Sequence, residues 1–150
     1  MIFNNLDNTK IFDDFFQKYT SLIDLNMNVN TYSSSYAKGG LSQAIKGIAG
    51  DDSPFICDWK QFDIMRSIKC CKICNLTSEE EFALIAHEIG HLSATYNGLK
   101  LKHWDEELYA DQLAVKLGLR NAISNALLKM KEANLDPGMN DQITIRINSL

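Results

Sequence analysis

No stretch of this sequence approaches the roughly 18–20 consecutive apolar residues that span a bilayer, so membrane insertion is not expected. The first ten residues, MIFNNLDNTK, lack a basic region followed by an apolar one and do not read as a secretory signal. No run of Lys or Arg interleaves with aromatics, and the net charge is -4 with a pI near 5.3, which argues against a nucleic-acid partner. Arg66, Lys69 and Lys72 sit together and read as a solvated face. There is no internal repeat and no low-complexity linker. The expected compartment is the cytoplasm, where the four cysteines would be reduced thiols.

The 150 residues, 45% of them apolar, suit one domain with a sizeable core. Ile11, Phe12, Phe15, Phe16, Tyr19, Leu22 and Ile23 fall at gaps that define one helix face over residues 8–24. Leu25, Met27 and Val29 alternate with polar residues and suggest a short strand. Residues 32–52 are rich in Ser and Gly, with a turn expected at Gly39-Gly40, and Phe55-Ile56-Cys57 suggests a second strand. Thr77 with Glu80, or Ser78 with Glu81, opens a helix over 77–97 through a capping box, and Gly98 stops it. A second helix is expected from an N-cap at Asp105 to Gly118, a third over 121–134, and a short terminal one over 140–150. The expected fold is α+β: a helical bundle in residues 77–150 beside a small sheet drawn from residues 24–57, with residues 1–57 supplying the N-terminal helix and strands.

The chemistry concentrates at His87-Glu88-Ile89-Gly90-His91. On a helix, positions i and i+4 share a face, about 6 Å apart along the axis. That spacing lets two imidazoles bind one zinc ion, while the Glu between them can take a proton from a metal-bound water. A catalytic zinc wants a third protein ligand and an open position. Ala94 and Asn97 stand where a metzincin would carry Gly and His, which excludes that class. His103, on the loop between helices, would have to fold back. Glu107 is the better candidate: it follows His91 by a loop and the start of a returning helix, and it shares a face with Asp111, which Glu106 does not. Asp111 can accept a hydrogen bond from the distal N–H of a ligating His. The reading is one Zn2+ per chain on His87, His91 and Glu107, with Glu88 as catalytic base.

Cys71-Lys-Ile-Cys74 has metal-ligand spacing, yet a four-thiolate site needs a second pair, and Cys57 stands alone. Cys57, Cys70, Cys71 and Cys74 therefore read as free thiols. Tyr96, Trp104 and Tyr109 border the motif in sequence and read as aromatic packing at helix ends.

His87-Glu88-Ile89-Gly90-His91 followed by Glu-x-x-Ala-Asp at 107–111 resembles the gluzincin metallopeptidases, most closely the HtpX-like and CAAX-prenyl-protease type. Asp111 to Gly118, Ala126 to Lys129, and Arg146-Ile147 with Leu150 resemble the later helices of that family, so the resemblance covers about residues 79–150. It implies a zincin-like fold, zinc-dependent cleavage of a protein or peptide substrate, and the same ligands and base. Asp136-Pro137 stands nearest to the family's His-Pro, and the family's membrane helices have no counterpart here. The pattern is also similar, less closely, to the ImmA/IrrE-type regulatory peptidases. The resemblance further draws attention to Arg146. Ile143, Ile147 and Leu150 form a stripe that should dock, holding Arg146 near the body of the protein with Asp111 as its expected partner. Three functions follow: an endopeptidase, a regulatory peptidase of a mobile element that cuts one partner, or a non-catalytic zinc-stabilised interaction module.

Overall fold

A computed structural model describes residues 1–36 and 52–150. The expected turn at Gly39-Gly40 lies outside the described residues. In chain order the elements are β1 (Ile2–Asn5), α1 (Lys10–Tyr19) with a 3-10 turn at Thr20–Leu22, β2 (Asn28–Ser33), a single helical turn α2 (Ser34–Tyr36), β3 (Phe55–Asp58) and β4 (Asp63–Arg66). Then follow α3 (Ile68–Cys74), α4 (Ser78–Tyr96), α5 (His103–Lys116), α6 (Arg120–Ala133), a 3-10 turn at Pro137–Met139, and α7 (Asn140–Asn148). The class is α+β. No helix among the described residues is long and apolar enough to cross a membrane.

The four strands form one mixed sheet in the order β1-β2-β4-β3. β1, β2 and β4 run parallel, and β3 closes the edge antiparallel to β4. The sheet is therefore not drawn from residues 24–57 alone, since β1 and β4 lie outside that span. β1 meets β2 in parallel through a crossover, so no turn motif announces it, and β4, though hairpin-linked to β3, follows a connection, Trp59–Phe62, that holds no Gly, Pro or Asn. Leu25 and Met27 precede β2 rather than forming it. The Met27 carbonyl already accepts from Ile2 N–H at 2.9 Å, so the ladder begins just before the strand.

α4 is the central element. Its N-terminus is closed by a full capping box: Thr77 Oγ1 accepts from Glu80 N–H at 3.2 Å, and Glu80 Oε1 accepts from Thr77 N–H at 2.9 Å. The helix is buried on most of its circumference because the sheet, α5 and α6 all pack on it. Phe12 and Val29 from the N-terminal side join Ile64, Ile85, Ile89 and Ile123 in one continuous core. Gly98, at φ 67°, takes the left-handed conformation just after the helix.

Two further expectations change. α5 begins at His103, with Lys102 as N-cap, so Asp105 lies in the first turn, where its charge suits the helix dipole. Arg66 is not on a solvated face. It is half-buried, and its guanidinium grips both carboxylate oxygens of Glu81 on α4. α3 was not anticipated. Ser67 caps it by accepting from Cys70 N–H at 3.2 Å, and Asn75, at φ 52°, ends it.

Candidate metal centre

The site is built where α4 and α5 meet. Gly90 makes that meeting possible. A Cβ placed on it would lie 2.6 Å from Ala110 Cα and 2.7 Å from the Ala110 carbonyl oxygen, so only glycine lets the two backbones approach this closely. Ala110 answers it with the smallest side chain. The approach brings the face of α5 that carries Glu107 and Asp111 against the face of α4 that carries His87 and His91.

His87 Nε2 and His91 Nε2 lie 3.0 Å apart. Glu107 Oε2 is 3.2 Å from His87 Nε2, and Glu107 Oε1 is 3.3 Å from His91 Nε2. The donor atoms of all three residues fall within 4.8 Å of one another, a group that could hold a metal ion, and the one such group among the described residues. In a tetrahedral site with bonds of about 2.0–2.1 Å, donor atoms stand about 3.3 Å apart, so the observed spacings fit.

The hydrogen bonds behind the ligands sharpen this fit. His87 Nδ1 lies 2.7 Å from Asp111 Oδ1, and His91 Nδ1 lies 3.1 Å from Glu106 Oε1. Carboxylates only accept, so with a metal bound these partners would favour a proton on each Nδ1 and a lone pair on each Nε2 turned inward. Two imidazole nitrogens and a carboxylate thus converge, a donor set that could hold a metal ion. Protonation shows the same crowding. Burial lowers the affinity of His91 for a proton, but Glu107, Glu88 and Glu106 outweigh it and push the imidazole up to about 9. Burial would raise Glu107, yet its hydrogen bonds with His87 and His91 hold the carboxyl far below the usual range.

Asp111, itself buried, is gripped from the far side by α7. Arg146 Nε donates to Asp111 Oδ2 at 2.9 Å and its Nη2 to Oδ1 at 2.7 Å. Ile143 is buried, while Ile147 and Leu150 pack on the core, and this docking holds the guanidinium in place. Arg146 Nη1 also comes within 3.5 Å of Glu107 Oε2. One guanidinium therefore steadies both the carboxylate behind His87 and that of Glu107.

No family model matches the chain, no curated protein matches it, and no solved structure does.

Glu88 stands outside the ligand group and faces a cavity of about 350 Å³ that the ligands also line. β3 forms the facing wall. Ser67 N–H donates to the Pro54 carbonyl at 2.7 Å, so the ladder bonds of β3 fall at alternate residues, and the main-chain N–H and C=O of Cys57 point to the edge that no strand among the described residues covers. The Cys57 thiol meets Glu88. Burial and the nearby Glu88 carboxylate push this cysteine well above its ordinary 9.0.

His103 is the exposed first residue of α5 and stays outside the ligand group. Cys70, Cys71 and Cys74 are buried free thiols on α3. Tyr109 lies away from this cavity, with its hydroxyl 3.3 Å from Ser93 Oγ, and Tyr96 and Trp104 do not line it either. The aromatics at its wall are Phe55, on β3, and Trp59, just after it, which no local sequence signal marks. Glu106 does not join the ligand group, as its face on the helix predicts. It is the partner of His91, on the first turn of α5 beside Glu107.

Proposed function

We propose that the chain is a zinc-dependent metalloendopeptidase of zincin-like architecture. One observation carries the reading: two inward-turned imidazole nitrogens and a carboxylate converge beside a free carboxylate, Glu88, at the wall of an open cleft. Two imidazoles and one carboxylate are a donor set that suits zinc and leaves a position for water or substrate. The gluzincin resemblance of residues 87–91 and 107–111 supports the same assignment.

Zinc held by His87, His91 and Glu107 would polarise the scissile carbonyl and acidify the attacking water. The protein's own groups do the rest. The open edge at Cys57 offers one main-chain donor and one acceptor to an extended peptide. Glu88 takes a proton from the water as its oxygen bonds to the carbonyl carbon. It then delivers that proton to the leaving nitrogen as the C–N bond breaks. Asp111 and Arg146 keep the His87 ring in the tautomer that turns Nε2 inward.

Glu88→Gln tests the assignment. The amide cannot accept the water proton, so turnover of a peptide substrate should fall by at least about 10²–10⁴. Zinc, measured by elemental analysis, should remain at one per chain. Near-normal hydrolysis by this variant would sink the mechanism.

A further inference from the structure

The two imidazoles of the site are held by unlike neighbours. Behind His87 stands Asp111, its side chain 1% exposed and gripped by two hydrogen bonds from Arg146. Behind His91 stands Glu106, its side chain 33% exposed, with no further hydrogen bond or ion pair from that side chain among the described residues. The rings differ in the same sense: the His87 side chain is 6% exposed and that of His91 16%. Glu106 lies outside the Glu-x-x-Ala-Asp pattern at 107–111, so the gluzincin resemblance assigns it no role.

α5 is just as uneven along its length. Ala110, Asp111 and Ala114 are buried and fix its middle on α4. Its start is held by less. Lys102 stands at the N-cap and its side chain caps nothing, whereas α4 opens on a full capping box. Residues 96–103, which lead into the helix, are all exposed. A first turn without a cap leaves main-chain N–H groups to water, and it opens more readily than a capped one. The first main-chain bond of α5, from Glu106 N–H to the Lys102 carbonyl at 2.9 Å, belongs to that turn. Opening it would draw Glu106 off His91 and loosen the adjacent Glu107, while Arg146, Asp111 and His87 stay joined.

We propose that Glu106 is the positioning residue of His91, and that zinc enters and leaves through this half of the site as the first turn of α5 opens. The inference rests on the metalloendopeptidase reading and names how the metal of that site is held and exchanged. Glu106 Oε1 accepts from His91 Nδ1–H and so aims Nε2 at the ion. His87 keeps its direction through Asp111 whether the turn is open or closed.

The test follows release of zinc from the loaded protein into an excess of a chromogenic chelator by stopped flow. Glu106→Ala should release zinc about 10–100 times faster than the wild type. Glu106→Gln, whose amide oxygen still accepts from Nδ1–H, should release it close to the wild-type rate. Metal-free Glu106→Ala should unfold at the same temperature as the metal-free wild type, which a purely structural role for Glu106 would not allow. Lys102→Ser supplies the missing cap and should slow release about fivefold against Lys102→Gln, which removes the same charge without capping. A wild-type release rate in Glu106→Ala, or release from Glu106→Gln as fast as from Glu106→Ala, overturns the positioning role. Equal rates in the two Lys102 variants overturn the route. Either failure leaves the peptidase reading standing, whereas a wild-type protein that takes up no zinc overturns both.

Discussion

The two halves of α4 handle buried charge in opposite ways. At its start, each buried acid has its own cation: Glu80 meets Lys129 at 2.6 Å, and Glu81 meets Arg66. Further along, His87 and His91 are ringed by Glu88, Glu106, Glu107 and Asp111, and among the described residues Arg146 is the one Lys or Arg nearby. The first half is balanced and needs nothing more. The second is short of positive charge, and buried charge left unbalanced is costly. A fold keeps such an imbalance where it answers to a ligand, so the difference between the halves separates structural charge from functional charge.

Removing a ligand breaks this contrast most severely. His91→Ala should reduce bound zinc from one per chain to near zero by elemental analysis and take hydrolysis to background. Full zinc retention would mean that the imbalance does not serve a metal.

Arg146→Ala comes next. It leaves Asp111 buried beside His87 without its cation, and breaking a buried pair in this way costs about 3–5 kcal/mol. Thermal unfolding should show that loss, and zinc should dissociate faster into a chelator. Arg66→Ala sharpens the contrast, because it should lower stability without changing zinc retention.

Gly90→Ala acts on the seam rather than the charges. Its Cβ would collide with the Ala110 backbone, and overpacking typically costs about 1–3 kcal/mol. The variant should hold zinc more weakly, as α5 is pushed off α4 with Glu107. A helix propensity gain from alanine would appear instead if the seam could open freely.

The smallest effect belongs to the balanced half. Burial alone would raise Glu80, but the hydrogen bonds from Lys129 and the Thr77 N–H outweigh it, and the carboxyl sits below its ordinary 4.5. A lowered folded-state value stabilises the protein above the ordinary value, and the contribution is lost as pH falls through the lowered one. Lys129→Met should therefore cost about 1 kcal/mol or less at neutral pH and flatten the acid limb of stability against pH. Zinc content should not change.

The parts of this site that rest on local periodicity are readable from the chain. His87 and His91 stand four residues apart in a segment with a capping box at Thr77 and apolar spacing at Phe82, Ile85 and Ile89. The shared face of Glu107 and Asp111, and the stripe of Ile143, Ile147 and Leu150 that carries Arg146, are legible in the same way. What the sequence hides depends on partners distant along the chain. β1 is Ile-Phe-Asn-Asn, which earns little strand propensity, and its parallel register with Asn28–Thr31 supplies the rest. The place of Cys57 against Glu88 follows from the register of β3 on β4, and that of Glu106 against His91 from how α5 settles on α4. Neither is a property of a short window.

Cys57 also bears on the durability of the cleft. A thiol beside a reaction centre is ordinarily the point where oxidants and electrophiles enter, and they attack the thiolate. Here burial and the neighbouring carboxylate's charge keep the thiolate scarce. A scarce thiolate gives peroxide and alkylating agents little to attack at this wall at neutral pH.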